Sequence, residues 1–136
     1  MNRSKLVSWL EILGVWIPTV LLGAFFVLQG IMKLQPGSPW PKMFEEWGYP
    51  AGFHWLLGAV ELLGGLLLFV PRVAGYAAVL LGTVMGGAFL THLVHGETIG
   101  TITTFVIGSM LAMLVRFRLP RRRSRALGAP TATGAE

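Results

Sequence analysis

A single carboxylate, Glu61, lies inside the apolar run "LLGAVELLGGLLLFV", and no opposite charge stands beside it in the sequence. Ionisable residues inside membrane segments nearly always face the protein interior, pair with another group or line a pathway, because a charge facing lipid is unfavourable. Such a carboxylate can accept or relay a proton in a chemical step. Glu61 is therefore one candidate catalytic residue, and Lys33 is the other because its long side chain can reach towards Glu61.

Glu61 also has a purely structural interpretation. It could form an interhelical hydrogen bond or ion pair that only fixes helix packing, with Lys33 or a histidine of a later helix as its partner. One sequence does not separate these two interpretations, and it leaves open whether Glu61 is charged.

His54 precedes Glu61 by seven residues. Seven residues are nearly two helical turns, so both side chains project from the same helix face, about 10 Å apart along the axis. Gly58 and Gly65 continue the same stripe. Small residues let a neighbouring backbone or a ligand come close, so we expect this face to point into the protein. His54 is therefore a candidate ligand-binding residue.

A second polar cluster, His92, His95 and Glu97, occurs in "THLVHGE". Two histidines on one helical side and a carboxylate in the next turn could form a metal site. However, no HExxH pattern or second ligand cluster accompanies them, and histidines at helix ends commonly contact water or the last carbonyls. A haem held between His54 and one of these histidines has no other support. We expect no metal and interpret all three residues as ligand-binding.

Aromatic side chains accompany these polar groups. They could flank a planar, lipid-soluble ligand such as a quinone entering between helices. In membrane proteins such residues more often face lipid or the interface. Trp55, next to His54, is included in the candidate ligand site. The aromatic residues concerned are Phe25, Phe26, Trp47, Phe53, Trp55 and Phe89.

The composition identifies the elements that must position these residues. Of 136 residues, 54% are hydrophobic and only 12% are charged, whereas about a quarter are charged in soluble proteins. Four stretches, at about 7–32, 53–70, 73–94 and 98–115, approach the roughly 20 apolar residues of a membrane-spanning helix. The absence of cysteine excludes dithiol redox chemistry carried by this chain. We predict an all-α, integral membrane antiparallel four-helix bundle over residues 1–119.

The basic residues predict its orientation. Placing both termini in the cytoplasm puts nine of the eleven basic residues inside and leaves Lys33 and Lys42 outside, as the positive-inside rule requires. Because arginines cluster directly after the last apolar stretch, we interpret the net charge of +5 as a membrane signal and not as a nucleic-acid surface. The predicted location is the inner (plasma) membrane. Residues 120–136 are predicted to be a basic, disordered cytoplasmic tail.

The predicted outer loop between the first two spans contains four prolines and several aromatic residues, which suit the membrane interface. A short interfacial helix at about residues 42–47 is compatible with this loop. In the third span, Ala78, Gly82 and Gly86 recur every four residues. This spacing predicts a face for close helix packing, either within the chain or in an oligomer.

The order of these features resembles the DoxX-like family of small four-helix membrane proteins. The resemblance covers roughly residues 21–96 and rests on "LLGAFFVLQGIMKLQP", "MFEEWGYP" and "LLGAVELLGGLLLFVPR". It implies a four-helix bundle with Lys33 and Glu61 at the recurring polar positions of the family. Functions in the family are diverse and include a subunit associated with thiosulfate:quinone oxidoreduction and a receptor-assembly chaperone.

Two functions follow as hypotheses. In the first, the chain acts with a redox system and binds a quinone-like or other lipophilic molecule, or a protein partner, in an outward-opening polar pocket. In the second, it is a non-catalytic assembly factor or chaperone whose Lys33–Glu61 contact is structural and whose small-residue faces bind client helices. Whether the chain is an enzyme depends on which hypothesis holds.

Overall fold

Five α-helices make up the described part of the chain. The computed structural model describes residues 2–119, without the side chains of residues 3 and 4. The helices are α1 (Arg3–Leu34), α2 (Trp40–Glu46), α3 (Phe53–Leu68), α4 (Ala74–Val94) and α5 (Thr98–Arg118). Over residues 2–119 there is no strand, so the prediction of an all-α chain is confirmed for that part. The predicted tail, residues 120–136, lies outside the described residues.

Within residues 2–119, three helices are long and apolar enough to cross a membrane: α1 from Lys5 onwards, α4 and α5. The second predicted span, α3, is also apolar but only 16 residues long, which corresponds to about 24 Å. Contacts run from α1 to α3, from α3 to α4, from α4 to α5 and from α5 back to α1. The four long helices are therefore linked in a closed ring, and α2 packs on α3.

Glycines bring α1 and α3 into backbone contact. Gly30 lies opposite Gly58, and Gly23 lies opposite Gly65, so a Cβ on Gly30 would stand 2.7 Å from the Gly58 carbonyl oxygen. The spacing within each helix is seven residues, which keeps both glycines of a helix on one face. The inward stripe predicted on α3 is confirmed, since His54, Gly58, Glu61 and Gly65 are all buried.

The small residues of α4 behave differently from the prediction. Ala78 is fully buried in the hydrophobic core, but a Cβ on Gly82 would only reach ordinary contact with Leu111, at 4.0 Å, and one on Gly86 would meet nothing within 4 Å. The prediction of close backbone packing along this face is therefore wrong at Gly86. Gly86 is instead exposed on the surface of α4.

The α1–α3 connection contains a helix bounded by turns. Helix α2 begins at Trp40, with Pro39 and Pro41 at its start, where proline fits because the first helical N–H groups have no intrahelical acceptor. Gly37, Gly48 and Gly52 adopt φ angles of 79°, 83° and 83°, a region that residues with a Cβ rarely enter. The predicted short helix is present and begins two residues earlier than expected.

The N-terminal part of α1 stands apart from the core. Residues 5–14 are exposed, and packing against the core begins at Val15. The exposed apolar side chains of this part include Leu6, Trp9, Leu10 and Leu13. The predicted first span, 7–32, is therefore helical throughout, while only its C-terminal portion contacts the other helices.

Candidate functional site

A buried ion pair joins α1 to α3. Lys33 donates from Nζ to Oε2 of Glu61 at 2.7 Å, and the two side chains are 5% and 3% exposed. The contact is possible because α1 and α3 are so close: a Cβ on Gly58 would stand 3.0 Å from the Lys33 Cβ. The contact predicted between Lys33 and Glu61 is therefore present. Its location in the interior means that each charge depends on the other for compensation.

A cavity of about 440 Å³ adjoins this pair. Lys33 and Glu61 contribute to its wall, together with His92 and Gln29. Most of the other side chains in the wall are aromatic or aliphatic, or are threonines. Its volume lies within the range of about 300–1,000 Å³ that is typical of small-molecule sites. A few polar groups in a mainly apolar cavity are suited to orienting a lipophilic ligand.

An aromatic cap, formed by Trp40, Phe44, Trp47 and Tyr49, covers part of this cavity. Phe44 is buried and contacts the other three rings at centroid distances of 5.5–6.0 Å. The Tyr49 ring stacks on Phe53 at 4.7 Å and 9°. These offset and edge contacts are the favourable arrangements for aromatic rings, so the cap is a packed part of the wall.

Two polar contacts connect the aromatic cap to α4 and α1. The Tyr49 hydroxyl and the Thr91 hydroxyl of α4 form a hydrogen bond of 2.6 Å. On the α1 side, Lys33 Nζ lies 4.2 Å from the centroid of the Trp40 ring, within the range of a cation–π interaction. Lys33 therefore contacts the cap and Glu61 at the same time.

His92 lies in the cavity wall, and its Nδ1 is 2.6 Å from Oε2 of Glu97. The ring occupies space that Gly100 leaves open, since any Cβ at that position would collide with it. The Trp47 ring packs against His92 in an edge arrangement, at 5.2 Å and 81°. Glu97 is outside the cavity lining and contacts the His92 ring, and a ligand-binding role for Glu97 stays a prediction.

Three other predicted ligand-binding residues do not line the cavity. His54 is buried on the inward face of α3, beside Trp55. Trp55 itself is 53% exposed. His95 is exposed, and its Nδ1 pairs with the Thr91 carbonyl oxygen at 2.8 Å. A ligand-binding role for these three residues stays a prediction. Over the described residues, no group of three or more His, Cys, Asp or Glu side chains is placed to hold a metal ion.

Sequence reasoning did not identify several cavity residues. Gln29 is four residues before Lys33, and this helical spacing places the two side chains on the same face. The position of Gln29 beside Lys33 in the cavity wall was therefore predictable. Tyr49 and Thr91 are distant in sequence and meet only through the fold. No local pattern predicts their contact.

Comparison with known proteins gives one family and one relative. The model described as the DoxX-like family matches residues 17–115. A Bacillus subtilis (strain 168) protein named "Putative oxidoreductase CatD" is 28% identical over 79 residues, which are 58% of this chain and 59% of that protein. The chain thus covers less than two thirds of that relative. No solved structure matches the chain significantly.

Proposed function

This chain belongs to the DoxX-like family, and we propose that it is a redox-associated membrane protein that binds a quinone-class ligand in the cavity beside Lys33 and Glu61. The observation that carries the proposal is a mainly apolar, aromatic-walled cavity with a buried ion pair in its wall. The oxidoreductase name of the Bacillus subtilis relative supports a redox connection.

The proposed setting is the inner membrane. Helices α1, α3, α4 and α5 form a transmembrane four-helix bundle, with residues 120–136 as a cytoplasmic tail. Both termini are cytoplasmic in this proposal, because Arg72 and the arginines after residue 115 then obey the positive-inside rule. Helix α3 is about 24 Å long against a hydrocarbon thickness of about 30 Å. Its ends therefore lie near the interface, and the cavity opens towards the outer leaflet.

The polar groups of the cavity suit a ligand with ring oxygens. Lys33 has three N–H donors; one is used by Glu61, and another can reach a ligand carbonyl. The Gln29 amide offers a further donor and acceptor in the same wall. Glu61 accepts a proton from, or relays one to, the ligand when the Lys33 contact is exchanged. A flat ring stacks favourably on the aromatic cap.

A second candidate function has an observation of its own. Lys33 and Glu61 already compensate each other's charge at 2.7 Å, and glycines allow α1 and α3 to lie in close contact. These features would also serve a rigid assembly factor whose outer faces bind helices of a client membrane or redox protein, or a second copy of the chain. In that case the cavity holds no ligand. The following experiment distinguishes between the two functions.

Filling the cavity is expected to abolish quinone binding. Ala88 lines the cavity, and Ala88→Phe adds a ring to it. We expect decylubiquinone to quench the tryptophan fluorescence of the nanodisc-embedded wild type saturably, because Trp40 and Trp47 line the cavity. Ala88→Phe should weaken the apparent affinity by at least about tenfold, or roughly 1.4 kcal/mol.

The matched control is Leu90→Phe, two residues further along α4 at a position that is 60% exposed. It adds a ring of the same kind to the outer surface, so its affinity should equal that of the wild type. Non-saturating quenching, or equal affinity in the wild type and in a folded Ala88→Phe protein, would reject the quinone site and favour the assembly-factor function.

A further inference from the structure

His92 is held in one orientation by three neighbours. Its Nδ1 lies 2.6 Å from Oε2 of Glu97, Trp47 packs edge-on at 5.2 Å, and the ring fills the space beside Gly100. The His92 side chain is 15% exposed and the Glu97 side chain 39%. This arrangement fixes the ring within the cavity wall, whereas His95, the residue after α4, is exposed and lies 5.9 Å from the Trp47 ring without lining the cavity.

The Glu97 carboxylate determines which ring nitrogen carries the proton. A carboxylate only accepts hydrogen bonds, so the contact requires a proton on Nδ1 of His92. In the neutral ring, Nε2 then has a free lone pair. Among the described residues, no hydrogen bond to Nε2 is formed, while Nδ1 has its partner in Glu97. A ring that lines the cavity thus offers an acceptor to whatever occupies it.

This acceptor complements the donors elsewhere in the wall. Lys33 offers N–H groups, which suit a carbonyl oxygen, and His92 offers a lone pair, which suits a hydroxyl group. We infer that His92, oriented by Glu97, accepts a hydrogen bond from a ligand hydroxyl and makes the cavity selective for hydroxyl-bearing aromatic lipids, such as the reduced form of a quinone. The inference rests on the proposed function and adds the form of the ligand that is preferred.

Two redox-inert probes of matched shape test this selectivity. 4-Decylphenol carries the hydroxyl donor, and 4-decylanisole replaces its proton with a methyl group. We expect the nanodisc-embedded wild type to bind the phenol about three- to tenfold more tightly, as one net hydrogen bond provides. His92→Phe keeps an aromatic ring against Trp47 but removes the acceptor, so its phenol preference should disappear. Leu93→Phe, next to His92 on α4 at a position that is 54% exposed, is the matched control and should keep the preference.

Glu97→Gln tests the positioning role of Glu97. A side-chain amide can also donate to Nδ1, which allows the proton to sit on Nε2. The phenol preference should therefore fall between the values of the wild type and His92→Phe. If Glu97 only stabilised the fold, Glu97→Gln would lower the affinity for both probes equally and leave the ratio of the two affinities unchanged.

The outcomes separate this inference from the proposed function. Equal binding of the two probes by the wild type, or a preference that survives in His92→Phe, overturns the inference. If decylubiquinone still quenches saturably in that case, the proposed quinone site stands. If none of the three compounds binds, both the inference and the proposed function fail.

Discussion

Replacing Glu61 with leucine is expected to lower the free energy of unfolding by about 3–5 kcal/mol, the range for removing one partner of a buried ion pair. The reason is that Lys33, 4% exposed, would keep its charge in an interior that no longer compensates it. The measurement is equilibrium unfolding of the purified protein in detergent, followed by circular dichroism.

The double variant Lys33→Met/Glu61→Leu separates the pair from simple packing. It removes both charges, so its unfolding free energy should recover much of the loss seen in Glu61→Leu. The exposed pair Lys42–Glu46, at 3.9 Å with side chains 84% and 63% exposed, is the control. Glu46→Leu should change stability by less than about 1 kcal/mol. If the losses of unfolding free energy caused by Lys33→Met and by Glu61→Leu simply add in the double variant, the two residues do not depend on each other for stability.

Gly30→Ala is expected to destabilise the fold by about 1–3 kcal/mol, the usual range for overpacking. The added Cβ would stand 2.6 Å from the Leu62 backbone nitrogen and 2.7 Å from the Gly58 carbonyl oxygen. Neither atom can move unless α1 and α3 separate, which would also lengthen the Lys33–Glu61 contact. Thermal unfolding in detergent measures the effect.

Gly86→Ala is the matched control on α4. Its added Cβ would meet nothing within 4 Å, and alanine favours a helix by roughly 0.5–1 kcal/mol over glycine. Gly86→Ala should therefore be neutral or stabilising. If both variants unfold at the same temperature, the close α1–α3 contact does not contribute to stability as argued.

The central contact of the site could be predicted from sequence because a membrane acid has few alternatives. Glu61 lies in an apolar run and needs a partner, and the sequence offers few candidates: Lys33, directly after the preceding span, and the histidines of a later helix. The inward face of α3 followed from the helical period, which aligns His54, Gly58, Glu61 and Gly65. Both features follow from the helical period, the order of the charged residues along the chain and the properties of the bilayer.

The remainder of the site depends on helix rotation and register. His54 and Glu61 share a face, yet only Glu61 lines the cavity, because the position along the axis decides which residue meets it. His92 and His95 are three residues apart, but Gly100 on α5 leaves room for the His92 ring alone. Such contacts across helices have no signature within a single segment.

The aromatic cap also escaped prediction, although its helix was expected near residues 42–47. Trp40, Phe44 and Tyr49 suggest an interfacial belt when their types alone are considered. Their packing on one another and on Lys33 is set by the three turns at Gly37, Gly48 and Gly52. Because Lys33 contacts both Glu61 and Trp40, a ligand that displaces either contact would alter the ion pair and the cap together.

Direct measurement of bound ligand tests the central claim, that the cavity holds a quinone-class molecule. The wild type, Ala88→Phe and Leu90→Phe are purified in mild detergent from membranes of a quinone-containing host, and quinone in the solvent extract is quantified against protein by mass spectrometry. Close to stoichiometric quinone is expected in the wild type and Leu90→Phe, and strong depletion is expected in Ala88→Phe. Trace quinone at the same level in all three proteins would contradict the claim.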